Sequence, residues 1–173
     1  MSEIRDADNT ISKGQRQVGE LLAGIFALAG FAFLIFISFA VIRQSGRMDV
    51  SDWVMLPLAA IMLIVNTAGF VLIRRGRHVS GAWAVYLVSM IVFPVSATLV
   101  LQNVYLVTGL TVAFFTFIFV REVFPVPSRA RVIGTAVVAL AIIFLIELWN
   151  PGFRSISDFN APIFGAVLMA LAA

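Results

Sequence analysis

The sequence predicts an all-α, polytopic membrane helical bundle with about six transmembrane helices and both termini in the cytoplasm. Of its 173 residues, 61% are hydrophobic and 12% are charged, whereas soluble domains carry about 25% charged residues. The apolar residues form runs of roughly 20, the number that an α-helix needs to cross a hydrocarbon core about 30 Å thick. Arginine-rich loops separate some of these runs, and such loops stay on the cytoplasmic side of a membrane.

The basic segment Arg74-Arg75-Gly76-Arg77-His78 sets the predicted orientation of the chain. It separates two apolar runs, residues 53–73 and 82–100, that contain no Asp, Glu, Lys or Arg. Three arginines within four residues predict a cytoplasmic loop, and glycine is the residue expected where a helix ends and the chain turns. His78 lies in the same loop, so it is expected to contact headgroups as well.

The remaining spans follow from the hydropathy pattern. After a cytoplasmic tail at residues 1–17, the predicted spans are residues 18–42, 53–73, 82–100, 104–121 and 132–149, with an incomplete span at 162–173. The apolar run that begins at Ala82 is about 43 residues long, far too long for one crossing at 1.5 Å per residue, which predicts a tight outer turn at Gln102-Asn103. The last run covers only about half of the hydrocarbon thickness, so the chain is expected to continue into cytoplasmic residues.

Arginines at the cytoplasmic helix ends are predicted to set the topology and to contact anionic lipid headgroups. These residues are Arg74, Arg75, Arg77, Arg121, Arg129 and Arg131. The net charge of +3 is explained by such helix-end arginines. The predicted partner is therefore the lipid bilayer, and nucleic acid is not a predicted partner.

Two polar residues are singled out within the spans. Asn66 lies past the middle of the second span, where its amide needs a partner on an adjacent helix; a ligand site is the alternative. Glu147 lies near the outer end of the fifth span and is the one acid that could sit below the headgroups. Both are predicted to make interhelical polar contacts.

Proline and aromatic residues predict local features of the spans. Pro57 is placed in the first turn of the second span, where its missing N–H is harmless, and Pro94 is expected to kink the third span. Trp83 and Tyr86 are expected to be interfacial rings. The phenylalanines of the first span are assigned to lipid contact, and those at residues 114–119 point in different directions, because consecutive residues point around a helix.

Catalytic and cofactor chemistry finds no support in the sequence. The chain has no cysteine and one histidine, and it contains no Walker, GxGxxG or HExxH motif. No catalytic residue, metal site or cofactor is therefore predicted within this chain. Whether the whole protein is an enzyme depends on a further domain.

The layout of about six spans, with an inner Arg-Arg-Gly-Arg loop leading into Gly81-Ala82-Trp83, resembles the N-terminal membrane input modules of bacterial receptors. Such modules precede histidine kinase, diguanylate cyclase or class III adenylate cyclase domains. The resemblance covers nearly the whole chain through its hydropathy, and no HAMP, PAS, kinase or cyclase sequence is present. It implies a sensor domain in the bacterial inner membrane, as in a two-component system, that relays a signal through its last helix to a cytoplasmic effector.

The resemblance also implies a homodimer, since such effectors usually act as dimers. Small residues four apart lie on one helix face and permit close packing in lipid, which favours the Ala23/Ala27 and Ala166/Ala170 faces; packing within one subunit is the alternative. The second functional hypothesis is a small transporter, a channel or an accessory subunit of a membrane complex. No span carries a central charge, which speaks against transport.

Overall fold

Five long helices make up the part of the chain that the computed structural model describes, residues 12–43, 50–101 and 104–149. We number them α1 (Lys13–Arg43), α2 (Val50–Arg74), α3 (His78–Val100), α4 (Tyr105–Val123) and α5 (Val126–Trp149). Each is long and apolar enough to cross a membrane, and these three ranges contain no strand. The all-α fold is confirmed in this form. The predicted sixth span and the turn at Gln102-Asn103 lie outside the described residues.

A reciprocal cap starts α1 at Lys13, five residues before the predicted span. The Gln15 N–H donates to the Ser12 hydroxyl at 3.2 Å, and the Ser12 N–H donates to the Gln15 side-chain oxygen at 3.1 Å. This is a capping box, which satisfies two N–H groups that the first turn of a helix leaves unpaired. The polar residues before the first span therefore extend its helix.

Gly76 ends α2 as the sequence predicts. Its φ of +82° is in the left-handed region that glycine adopts without steric penalty. The Gly76 N–H donates to the Ile73 carbonyl at 3.1 Å, and the Arg77 N–H donates to the Leu72 carbonyl at 2.9 Å. These two bonds form a Schellman motif, which reverses the chain into α3.

The predicted place of Pro57 in the first turn of α2 is wrong. The helix begins at Val50, so the proline lies inside it. A proline lacks the N–H that would pair with the carbonyl four residues earlier, here that of Trp53. The Trp53 side chain is 67% exposed, near the start of the helix.

A wider helical turn precedes Pro94 in α3. The helix is α-helical over His78–Tyr86, π-helical over Leu87–Val92 and α-helical again over Phe93–Val100. A proline inside a helix clashes with the carbonyl four residues before it, and a local π segment is one way to accommodate this. The effect of the predicted Pro94 kink thus takes the form of a change in hydrogen-bond register.

The predicted reversal of the long apolar run is confirmed, since α3 ends at Val100 and α4 begins at Tyr105. Leu101 is extended, with φ −113° and ψ 138°. At its other end, α4 finishes in a second π-helical segment, Phe119–Val123. Phe124 is extended there as well, which directs the chain into α5.

Aromatic rings from three helices and one connection form the centre of the core. Phe26 of α1 contacts Phe115 and Phe119 of α4, with ring centroids 5.2 and 6.4 Å apart. Tyr86 of α3 lies 5.3 Å from Phe119 and 6.0 Å from Phe124, which connects α4 to α5. The assignment of Phe26 to lipid contact is therefore wrong, because this ring is buried between helices.

The other phenylalanines of α4 face outward. Phe114 is 47% and Phe117 61% exposed, whereas Phe115 and Phe119 are buried. The last two are four residues apart and share one helix face. The prediction that this aromatic run points in different directions is confirmed.

Two glycines bring α2 and α3 together. A Cβ on Gly81 would lie 2.6 Å from the Gly69 carbonyl oxygen, and a Cβ on Gly69 would lie 3.0 Å from the Gly81 carbonyl oxygen. Without side chains the two backbones touch, which is how close helix pairs assemble in lipid. Ala23 of α1 also has no exposed surface, so it packs within the subunit; Ala166 and Ala170 lie outside the described residues.

Candidate functional site

One end of the bundle gathers basic residues from separate parts of the chain, and we call it the arginine end. It consists of residues 13–20, 74–78 and 121–131. The Arg16 guanidinium donates to the Arg74 carbonyl at 2.7 Å, which joins α1 to α2. His78 Nε2 lies 3.1 Å from the Val123 carbonyl oxygen, which joins α3 to α4. The predicted cytoplasmic segments of the five described helices therefore lie at the same end.

The imidazole of His78 connects three helices at the arginine end. His78 is the first residue of α3 and is 3% exposed, so the expected headgroup contact is wrong. Its Nε2 carries the proton in the bond to Val123, since a carbonyl oxygen only accepts. The ring also packs directly against α1, because a Cβ on Gly19 would lie 2.8 Å from the His78 Cε1 atom.

Glu20 joins the arginines of α1 and α2. Its carboxylate lies 3.1 Å from the Arg16 Nε atom and 3.7 Å from the Arg74 Nε atom. The Arg74 guanidinium also lies 4.7 Å from the centroid of the Phe70 ring. Exposed ion pairs contribute about 0–1 kcal/mol, so the effect of this cluster is mainly to hold the start of α1 beside the end of α2.

Arg129 of α5 binds the end of α4. Its Nε donates to the Phe124 carbonyl at 3.4 Å, and its Nη2 donates to the Arg121 carbonyl at 3.3 Å. These carbonyls lie at a helix C-terminus, where the helix dipole favours a cation. Arg129 is half-buried, so it fastens two helices together at the arginine end.

The other predicted headgroup arginines lie on the surface. Arg75 and Arg77 in the loop before α3 are exposed, as is Arg131. The Arg121 side chain is 70% exposed and pairs with Glu122 at 2.8 Å. Of the six arginines, Arg74 and Arg129 hold other helices through the contacts described above, a role that their spacing in the sequence does not reveal.

A buried polar pair joins α2 to α3 inside the bundle. Asn66 has no exposed surface and Ser89 is 1% exposed. The Ser89 hydroxyl donates to Asn66 Oδ1 at 3.1 Å, an interhelical contact. No hydrogen-bond acceptor among the described residues reaches Asn66 Nδ2. A buried donor without an acceptor costs about 1–3 kcal/mol, so the Asn66 amide lowers the stability of the core.

Tyr86 connects three helices through its hydroxyl. It donates to the Val132 carbonyl at 3.0 Å and lies 3.1 Å from the Thr116 hydroxyl. A phenol has a single O–H, so the Thr116 hydroxyl donates to Tyr86. Tyr86 has no exposed surface, and the predicted interfacial position is wrong. The half-buried Trp83 ring lies 5.0 Å from Phe124, so it too packs against the core.

Hydroxyl groups also join α3 to α4 at the bundle end away from the arginine end. Thr98 donates to the Pro94 carbonyl at 2.9 Å and lies 2.9 Å from the Thr108 hydroxyl. Both threonines are buried. The sequence pattern does not single out Thr108 or Thr116. Their spacing of eight residues, two helical turns on one face, is the signal that could have found them.

Glu147 is half-buried near the end of α5, at the bundle end opposite the arginine end. Within residues 12–43, 50–101 and 104–149, no group of three or more His, Cys, Asp and Glu residues could hold a metal ion. The buried polar side chains there belong to Asn, His, Ser, Thr and Tyr. Their arrangement suits hydrogen bonding between helices.

Comparisons of this chain with protein-family models, with curated proteins and with solved structures find no match. The functional proposal therefore rests on the geometry of the bundle. Its two distinctive features are the arginine end and the polar pair beside the π-helical turn of α3.

Proposed function

We propose that this chain is the integral-membrane input domain of a bacterial signal-transduction receptor. In this proposal it lies in the inner membrane with the arginine end in the cytoplasm, and it relays a signal to a cytoplasmic effector. The observation that carries the proposal is that specific contacts at the arginine end link all five described helices. A bundle joined in this way passes a displacement of one helix to its neighbours.

The links run through the bundle in sequence. Arg16 joins α1 to α2, and His78 joins α3 to α4 while packing against α1. Arg129 then joins α4 to α5. These bonds end on backbone carbonyls, so each holds a helix terminus at a defined position. A shift of any helix along its axis changes the bonds that hold the next one.

The second candidate is a small transporter, a channel or an accessory subunit of a membrane complex. Transport of ions or protons commonly uses charged residues inside the membrane. The buried polar side chains of the described helices include no Asp, Glu, Lys or Arg, which favours the receptor proposal. A homodimer is part of that proposal, because receptor effectors of this kind usually act as dimers.

The gene downstream of codon 173 tests the proposal most directly. We expect an in-frame kinase or cyclase domain there, and we expect Gly19→Val in the full protein to change its activity. A valine at this position would displace His78, since even a Cβ would lie 2.8 Å from its ring, whereas the nearest neighbour of a Cβ on Gly14 lies at 3.9 Å. Gly14→Val is therefore the matched control.

Two other results would contradict the receptor proposal. A stop codon directly after codon 173, together with substrate flux in proteoliposomes of the purified chain, would support the transporter hypothesis. Equal effector activity in Gly19→Val and Gly14→Val at equal membrane levels would show that the arginine end does not carry the signal.

Labelling of single cysteines tests the orientation, since the chain has no cysteine of its own. Cysteines replacing Trp53 and Tyr105, which are 67% and 42% exposed at the far end of the bundle, should react with an impermeant maleimide in intact cells. A cysteine replacing Arg75 should react only after permeabilisation, because arginine loops stay in the cytoplasm. The reverse pattern would invert the proposed topology.

A further inference from the structure

The π-helical turn of α3, Leu87–Val92, directly precedes the segment that contains Pro94. In this turn the Phe93 N–H donates to the Val88 carbonyl five residues earlier. Pro94 has no N–H, so it cannot donate to the Ser89 carbonyl in the π register or to the Met90 carbonyl in the α register. Either register thus leaves one carbonyl without a donor from Pro94, and π-helical turns are rare and often lie at functional sites.

The Asn66–Ser89 pair is compatible with only one register. Ser89 lies within the π-helical turn and reaches Asn66 Oδ1 at 3.1 Å. A one-residue change of register turns the helix by about 100° and shifts it by about 1.5 Å, which breaks this bond. In the observed register Asn66 Nδ2 finds no acceptor among the described residues, and a buried donor of this kind costs about 1–3 kcal/mol.

The two halves of α3 are held to different extents. Between its first residue and Tyr86, the helix is fixed by His78, by the contact of Gly81 with Gly69, and by the Tyr86 hydroxyl. In the half after the π-helical turn, Phe93–Val100, the Phe93 ring packs 5.3 Å from the Phe33 ring of α1 and Thr98 hydrogen-bonds with Thr108 of α4. A change of register is therefore expected to move the second half.

We propose that α3 is a two-state switch. The segment Leu87–Val92 converts between π-helical and α-helical registers, Phe93–Val100 turns about its axis, and the Asn66–Ser89 bond holds the observed state. This inference goes beyond the proposed function, because a switch in α3 would serve a receptor or a transporter alike. The test below measures distances within the chain and not effector activity. The switch can therefore be disproved while the receptor proposal stands.

Distances between pairs of nitroxide labels report the two states in proteoliposomes. One pair replaces Trp53 and Leu99, so that it spans the ends of α2 and α3 away from the arginine end. The reference pair replaces Arg75 and Arg131, two exposed residues of the arginine end. We expect two distance populations for the first pair and one for the reference pair, because only the second half of α3 moves.

Two variants assign the populations. Deletion of Leu87 removes one residue from the π-helical turn and should leave only the second population. Ser89→Ala leaves Asn66 Oδ1 without its donor, so the observed state should lose about threefold in its ratio to the second, which corresponds to the ~0.6 kcal/mol average of hydrogen bonds between membrane helices. Ser96→Ala, on the same helix, should leave the ratio unchanged.

One result overturns the proposal. This is a single distance distribution for the Trp53/Leu99 pair that is the same in the unmodified chain and in Ser89→Ala. Ser89→Ala removes a single oxygen atom and should not prevent folding. It therefore tests the proposal even if the chain with Leu87 deleted does not insert into membranes. An equal shift in Ser96→Ala would also contradict the role of the Asn66–Ser89 bond.

Discussion

Replacement of Gly81 by leucine should prevent α2 and α3 from packing. A Cβ at this position would lie 2.6 Å from the Gly69 carbonyl oxygen and 3.1 Å from the Ile73 N atom. Both are backbone atoms, so no side-chain rotation relieves the clash and the helices must separate. Overpacking in a close-packed interior costs about 1–3 kcal/mol and occasionally more. We expect a loss at the upper end of this range or beyond it.

Thermal unfolding of the purified chain in detergent, followed by size-exclusion chromatography, measures this effect. Gly134→Leu and Gly24→Leu are matched controls, since a Cβ at either glycine would meet no atom within 4 Å. Both controls should change the free energy of unfolding by less than about 0.5 kcal/mol. An unfolding midpoint of Gly81→Leu equal to that of Gly134→Leu would contradict the close crossing of α2 and α3.

Tyr86→Ala should produce the second large effect, about 3–5 kcal/mol in the free energy of unfolding, as is typical of aromatic-to-alanine changes in cores. The ring is fully buried and contacts Phe119 and Phe124. Tyr86→Phe keeps these contacts and removes only the hydroxyl. The Val132 carbonyl still accepts from the Thr135 hydroxyl at 2.8 Å, but the buried Thr116 hydroxyl loses its acceptor. The loss in Tyr86→Phe should therefore be about 1–3 kcal/mol.

The other tyrosine of the chain is the control. Tyr105 is 42% exposed at the start of α4, and neither Tyr105→Phe nor Tyr105→Ala should lower the unfolding midpoint measurably. If Tyr86→Phe unfolded as readily as Tyr86→Ala, the hydrogen bonds rather than the ring packing would hold the three helices together.

These experiments also separate stability from signalling. Gly81 and Tyr86 hold the half of α3 that the proposed switch leaves in place, so their variants should lose the fold itself. Ser89 lies in the π-helical turn and its variant should change the balance of states at nearly unchanged stability. Gly81, Tyr86 and Ser89 lie within eight positions on one helix. Variants of the first two are expected to lower the unfolding midpoint, and the Ser89 variant is expected to change the distance populations.

Local chemistry explains which features could be predicted from the residues. The five described spans follow from the length of the apolar runs, since the thickness of a bilayer fixes how many helical residues cross it. The end of α2 follows from Gly76, because only glycine adopts a positive φ without steric penalty. Ser12 is a capping residue for the same kind of reason, as its hydroxyl can pair with a free N–H of the first turn.

The candidate site depends on contacts between residues far apart in the chain. In sequence, Tyr86 has the features of an interfacial ring, and His78 those of a loop residue near headgroups. Each is instead buried because a distant helix offers a backbone carbonyl, that of Val132 or Val123. Hydrogen-bond donors alone do not specify where their acceptors will be, so the sequence could not place either side chain.

Composition and run length act locally, so the residues alone predict a set of helices long and apolar enough to span a membrane and where the apolar part of each lies. Which helix faces meet depends on the assembled bundle. It brought Asn66 to Ser89, set Gly69 against Gly81, and widened α3 ahead of Pro94. Lipid is as apolar as the helix surfaces, so hydropathy cannot distinguish a face that packs on protein from one that faces lipid. Close backbone approach and hydrogen-bond geometry make that distinction, and both exist only in the assembled bundle.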